Sequence, residues 1–201
     1  MLRHLFALLC IAFLASCSKD KDKKPESSQY PYYFKGTING KLVKFEANDE
    51  DTHYGNGTVS LHEGTGWDNV DYSEGTFFQN PLHMDRNYIN VSILKHFNDD
   101  PTDAQRLAMF RTGSYGYGKS NRSPATVDGA TIAYLDDQGV EWSSEGGDQT
   151  GSTFTITELT NSTNGHSMKI FKAQFNCKLY DAEGHSIQVT NAEVRGQILS
   201  N

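Results

Sequence analysis

Phe171-Lys172-Ala173-Gln174-Phe175-Asn176-Cys177-Lys178-Leu179-Tyr180 carries an apolar residue at every odd position from 171 to 179 and a polar one at each even position between them. A period of two is the spacing at which side chains leave one face of a β-strand. The stretch therefore predicts a strand with one buried and one hydrated face, as in an antiparallel sheet covered on one side. Cys177 falls on the apolar parity, so its thiol is expected to be buried and inert.

Working outward, the same parity recurs in Tyr88–Phe97, where Ile89, Val91 and Ile93 oppose Asn90 and Ser92. Shorter segments at 42–47, 58–62, 131–135, 140–142, 153–159, 186–190 and 192–199 are further strand candidates, rich in Thr, Val, Ile and aromatic residues. Asn39-Gly40 between two such segments predicts a tight hairpin turn. Leu135-Asp136-Asp137-Gln138-Gly139 and Tyr180-Asp181-Ala182-Glu183-Gly184 match each other, with an Asp three residues before a Gly. The Asp side chain accepts local backbone N–H groups and the Gly supplies positive φ, so both are expected to be turns. A calcium loop would need more oxygen ligands close together, and the EF-hand spacing is absent.

One helix is expected after Asp100-Pro101-Thr102-Asp103. Asp100 would be the N-cap and Pro101 the first helical residue, with Ala104, Leu107, Ala108 and Arg111 at helical spacing and Gly113 as the stop. The fold class is thus all-β with one short helix. An antiparallel β-sandwich is the expected architecture. A closed β-barrel is the alternative, because sequence does not reveal whether the outer strands meet.

The N-terminus differs in character. Leu5 to Leu14 is unbroken apolar sequence behind Arg3 and His4. Ten residues fall short of the about 20 that span a bilayer, and suit the apolar region of a secretory signal. Leu14-Ala15-Ser16-Cys17 resembles the bacterial lipobox. That resemblance implies cleavage before Cys17, a diacylglyceryl group on its thiol and acylation of its new amino group. Residues 1–16 are then a lipoprotein signal peptide. Cys10 is discarded with it, and Cys177 keeps no partner for a disulfide. A buried methylene contributes about 0.8 kcal/mol and one acyl chain holds only marginally, so two or three chains on Cys17 would anchor the protein without a spanning helix.

Residues 18–29, SKDKDKKPESSQ, contain no aliphatic or aromatic side chain and are expected to form, with Cys17, a flexible tether over 17–29. Lys19-Asp20-Lys21-Asp22 resembles the export signal of Bacteroidota lipoproteins, which implies the outer face of the outer membrane. Residues 30–201 are expected to form a single domain, long enough for a real core. The chain has 25 acids and 18 bases; loss of Arg3 leaves 17 bases and a side-chain charge of −8. No basic patch is present, so nucleic acid is not an expected partner.

The residues offer little chemistry. His62-Glu63 begins a zinc-protease pattern, but position 66 is Gly. There is no Gly-x-Ser-x-Gly elbow, no phosphate loop and no cysteine pair for zinc. His53, His62, His83 and His96 match no ligand spacing. Asp49, Glu50, Asp51, Glu141 and Glu145 would serve glycoside hydrolysis only if two faced each other across about 5–10 Å. No catalytic residue, metal or cofactor is therefore expected. The aromatic residues are more suggestive. Trp67, Tyr72, Tyr115 and Tyr117 lie near polar, glycine-rich stretches and are candidate ligand-binding residues for a glycan or a protein. Asp68, Asn69 and Asp71 stand nearby to bond sugar hydroxyls. The alternative is that these rings pack over an end of the sheet.

Several segments together resemble the β-sandwich lipoproteins of uncharacterised function common in Bacteroidota. They are Phe34-Lys35-Gly36-Thr37-Ile38-Asn39-Gly40-Lys41, Thr112-Gly113-Ser114-Tyr115, Gly147-Asp148-Gln149-Thr150-Gly151-Ser152-Thr153-Phe154-Thr155-Ile156-Thr157 and Thr190-Asn191-Ala192-Glu193-Val194-Arg195. The resemblance implies fold and an outer-membrane address and brings no active site. It leaves a non-catalytic surface binding module as the expected function. The alternative is a structural or accessory lipoprotein inside the envelope, docking onto another membrane protein, which predicts a concealed location and an apolar sheet face or edge. A hydrolase ranks third.

Overall fold

The structure is a computed structural model, which describes residues 31–47, 52–62, 69–120, 126–161 and 168–199. The signal, Cys17 and the tether lie outside the described residues, as do Trp67, Asp68 and the carboxylates at 49–51. The strands are β1 (Tyr33–Ile38), β2 (Lys41–Glu46), β3 (His53–His62), β4 (Val70–Gln79), β5 (Tyr88–Phe97), β6 (Gly113–Tyr115), β7 (Gly129–Leu135), β8 (Glu141–Ser143), β9 (Thr153–Asn161), β10 (Met168–Tyr180) and β11 (Ser186–Leu199). The described residues also include one helix, α1 (Asp103–Ala108), and a single 3-10 turn at Ser144–Gly146.

The strands form one antiparallel sheet in the order β2-β1-β11-β10-β8-β7-β5-β4-β3, with β9 pairing β10 and β6 pairing β9. The sheet forks at β10. β9 pairs with its residues 169–176, and β8 joins it only at Tyr180, opposite Ser143. Among the described strands β2 and β3 end the main path, and the three-residue β6 ends the branch through β9. The result is a curled, open partial barrel, neither the two clearly separate sheets of the expected sandwich nor the closed barrel. The physical reason lies in β10 and β11, 13 and 14 residues long, which carry the hydrogen-bond ladder across what would have been the gap between two sheets.

β11 reaches over β4 across the core. A Cβ on Gly196 would stand 2.3 Å from Cγ2 of the fully buried Thr76, so only a glycine permits this approach. The segments 186–190 and 192–199 are one strand rather than the two expected. Relative to both β1 and β10, β11 carries one extra residue near Asn191, which sits at φ 51°. Its N–H donates to Asn176 Oδ1 at 2.8 Å, so the bulge leaves no orphan donor.

The β10 alternation holds: Phe171, Ala173, Phe175, Cys177 and Leu179 are all buried. Rings of Phe154, Phe175, Phe34, Phe45 and Phe78 follow one another at centroid spacings of 5.5, 6.2, 6.3 and 6.4 Å, running from β9 through β10, β1 and β2 to β4. Both Asp turns form as expected. In each, the Gly N–H donates to the Asp carbonyl at 3.2 Å and the Gly takes positive φ.

Two local expectations are corrected. Residues 70–79, absent from the strand candidates, form β4, the second strand from the β3 end of the sheet. The helix begins later than the sequence suggests: Thr102 is the N-cap, its hydroxyl accepts from the Gln105 N–H, and Gln105 Oε1 accepts from the Thr102 N–H at 2.9 Å. This reciprocal capping box satisfies two helix-end donors, where an Asp100 cap would satisfy one.

Candidate functional site

The described tyrosines from the sequence expectation face inward. Tyr72 is buried on β4 and donates to Glu74 Oε2, with the Arg106 guanidinium 5.9 Å above its ring. Tyr115 and Tyr117 are half-buried and both meet the Phe154 ring edge-on. The Tyr115 hydroxyl lies 2.9 Å from the Met109 and Arg111 carbonyls and accepts from the Arg111 N–H at 2.7 Å. The Tyr117 hydroxyl lies between the carbonyls of Thr153 and Asn176. These rings brace the connection from α1 into β6 and β9. Burial pushes the neighbouring Cys177 thiol up to about 12, so it stays protonated and unreactive.

Asp71 organises a second cluster. Its side chain is 4% exposed and directly opposes His96 on β5, with Oδ1 2.9 Å from His96 Nδ1. Because a carboxylate only accepts, this bond fixes the Nδ1–H form of the imidazole. Oδ2 accepts from Ser120 Oγ at 2.8 Å and Thr126 Oγ1 at 2.7 Å. Asp71 thus ties both stems of the segment between β6 and β7 to the face of β4. His96 also lines a cavity of about 450 Å³ with Asn98, Asp99, Thr102 and Gln105. Ser120, however, hydrogen-bonds the carboxylate rather than the imidazole, so the group lacks the nucleophile–base contact of a catalytic triad.

A second concavity lies at the other end. The registers bring the β1–β2, β4–β5, β7–β8 and β10–β11 turns to one end of the curled sheet. There a cleft of about 620 Å³ opens among the first three turns, with Ile187 of β11 in its wall. Such mouths are common ligand sites, and the volume falls within their range of about 300–1,000 Å³. Trp142 is fixed in it: its indole N–H donates to Asp136 Oδ2 at 3.0 Å, while Asp136 Oδ1 accepts the Gln138 and Val140 N–H groups at 2.9 Å. Burial would raise the Asp136 carboxyl, but these donors outweigh it and hold it below the usual range. The Asn87 N–H donates to the Asp136 carbonyl at 3.1 Å, locking the β4–β5 connection to the same turn. Trp142 is not among the site residues expected from sequence, which include only the carboxylates flanking it, Glu141 and Glu145. Its local signal was the Asp turn six residues earlier.

The free edges of the sheet differ. β2 is six residues long and carries Lys41 and Lys44, charges of the kind that blunt an edge. β3 is ten residues long, and between Tyr54 and Leu61 it has no charge and no proline. Val59 and Leu61, on one parity, are 52% and 37% exposed.

Among the described residues no cluster of three metal-ligating side chains occurs, and no helix is long and apolar enough to cross a membrane. His83 lies in the exposed β4–β5 connection, Glu141 is exposed on β8, and Glu145 accepts the Ser120 N–H at 2.6 Å. No family model matches the chain, and comparison with curated proteins and with solved structures finds no match.

Proposed function

We propose that the protein is a lipid-anchored outer-membrane lipoprotein whose β-domain acts without catalysis, as an accessory subunit docked onto another membrane protein of the envelope. The observation that carries this reading is the β3 edge: ten residues of strand, paired on one side only among the described strands, with no charged gatekeeper from 54 to 61. Unpaired N–H and C=O groups in that setting are a template for an added strand, and the exposed Val59 and Leu61 offer it apolar contact. The partner is therefore an extended segment of another protein. The Tyr115 and Tyr117 hydroxyls are spent on the backbone of their own domain, which favours docking over recognition through those rings.

The Val59→Lys/Leu61→Lys double variant tests this reading. Extracted from membranes in mild detergent, the wild-type protein is expected in an assembly larger than one chain, and the variant as a single chain of unchanged melting temperature. Equal sizes would refute the reading. The lipobox-like sequence supports the anchor, and the charged run after Cys17 supports docking on the outer face of the membrane rather than in a concealed position. Protease added to intact cells is expected to digest the domain while sparing a periplasmic marker. Cys17→Ala added to the Val59→Lys/Leu61→Lys variant, which no longer docks, is expected to move the protein out of the membrane fraction. Retention of that variant in the membrane would contradict lipidation.

A further inference from the structure

We propose that the cleft at the turn end of the sheet binds a neutral oligosaccharide. Its chemistry suits a ligand that presents hydroxyls on its edges and C–H groups on its faces. Among the described residues, the side chains of Asn39, Asn87, Asp137 and Gln138 line the cleft and make no hydrogen bond within the protein. Three of these four are amides, which donate and accept at once, as sugar hydroxyls do. The half-buried Trp142 supplies the aromatic body, with its polar tip already occupied by Asp136, so the ring is positioned before any ligand arrives. Leu42 and Val140 add exposed aliphatic surface, at 69% and 37%.

Charge argues for neutrality. Lys44 is held by Glu46 at 2.6 Å, which leaves Lys41 against Asp136 and Asp137, a balance that offers no attraction to an anion. No arginine lines the cleft, so nothing there offers the bidentate fork that selects a carboxylate or phosphate. The backbone is also rigid where it matters: Asn39 and Asn87 hold positive φ, at 48° and 55°, and each N–H is bonded to a neighbouring element. None of the lining residues belongs to segment 54–61, so this site and the docking edge can fail independently.

The test uses the full-length protein in mild detergent. The indole resonance of Trp142, assigned with a Trp142→Phe variant, is followed as cellohexaose, maltohexaose, mannohexaose, xylohexaose and chitohexaose are added in turn at millimolar concentration. At least one is expected to shift that resonance. Asp137→Ala/Gln138→Ala, neither of them at positive φ, is expected to weaken the same sugar at least about tenfold with an unchanged melting temperature. The proposal is overturned if no sugar moves the Trp142 signal. It is also overturned if the double variant binds as wild type, or if an extended hexapeptide shifts the signal while the sugars do not.

Discussion

Gly196→Val is expected to leave the domain largely unfolded at room temperature, or to lower its stability by about 3 kcal/mol or more. A Cβ at this position would meet Thr76 Cγ2 at 2.3 Å, Cβ at 2.6 Å and Oγ1 at 2.8 Å. A rotamer change at Thr76 can move Cγ2 and Oγ1. It cannot move Cβ, which is fixed to the β4 backbone, so the strands themselves would have to separate. Against a total stability of about 5–15 kcal/mol, that is a large fraction. The milder pair Gly196→Ala and Thr76→Gly gives the sharper test. Urea unfolding of the two single variants and the double variant is expected to show a favourable coupling of about 1–3 kcal/mol. Additive effects would mean that β11 and β4 do not touch across the core.

Asp71→Ala is expected to cost about 3 kcal/mol or more, because it removes a 4% exposed carboxylate that accepts from the Ser120 and Thr126 hydroxyls and faces His96. Asp71→Asn separates charge from shape. Burial raises the Asp71 carboxyl, but the hydrogen bonds from Thr126, His96 and Ser120 outweigh it and hold the group below its ordinary 3.8. A carboxyl depressed by folding contributes its full stabilisation above the unfolded value and loses it as pH falls through the folded value. The stability gap between wild type and Asp71→Asn should therefore be constant from neutral pH to about 4 and close below that. A gap that widened with acid would contradict the assignment.

These two sites also show where sequence reading succeeds and where it stops. β10 is legible because one of its faces is hydrated, so hydrophobicity alternates. β4 is covered on both sides, and Asp71 and Glu74 are buried on it, so its pattern does not look like a strand. The partners that make Asp71 tolerable lie 49 and 55 residues away, beyond any local signal. The two Asp turns, by contrast, are entirely local, and both were readable. The Thr102–Gln105 capping box was readable as well, but Pro101 drew attention to the wrong cap. The choice between sandwich, barrel and open curl rests on one bridge at Tyr180–Ser143 and one close approach at Gly196. The cleft is assembled from turns some 50 residues apart, so only the Asp136–Trp142 contact at its centre had a sequence signature.

The docking reading is tested most directly by a photo-crosslinking residue placed at Val59 in the full-length, membrane-anchored protein, with Leu42 on the β2 edge as the control position. The expected result is one defined adduct with another envelope membrane protein from Val59, lost when Leu61→Lys is added and absent from Leu42. No adduct, an adduct only with a second copy of the same chain, or equal adducts from both edges would contradict it.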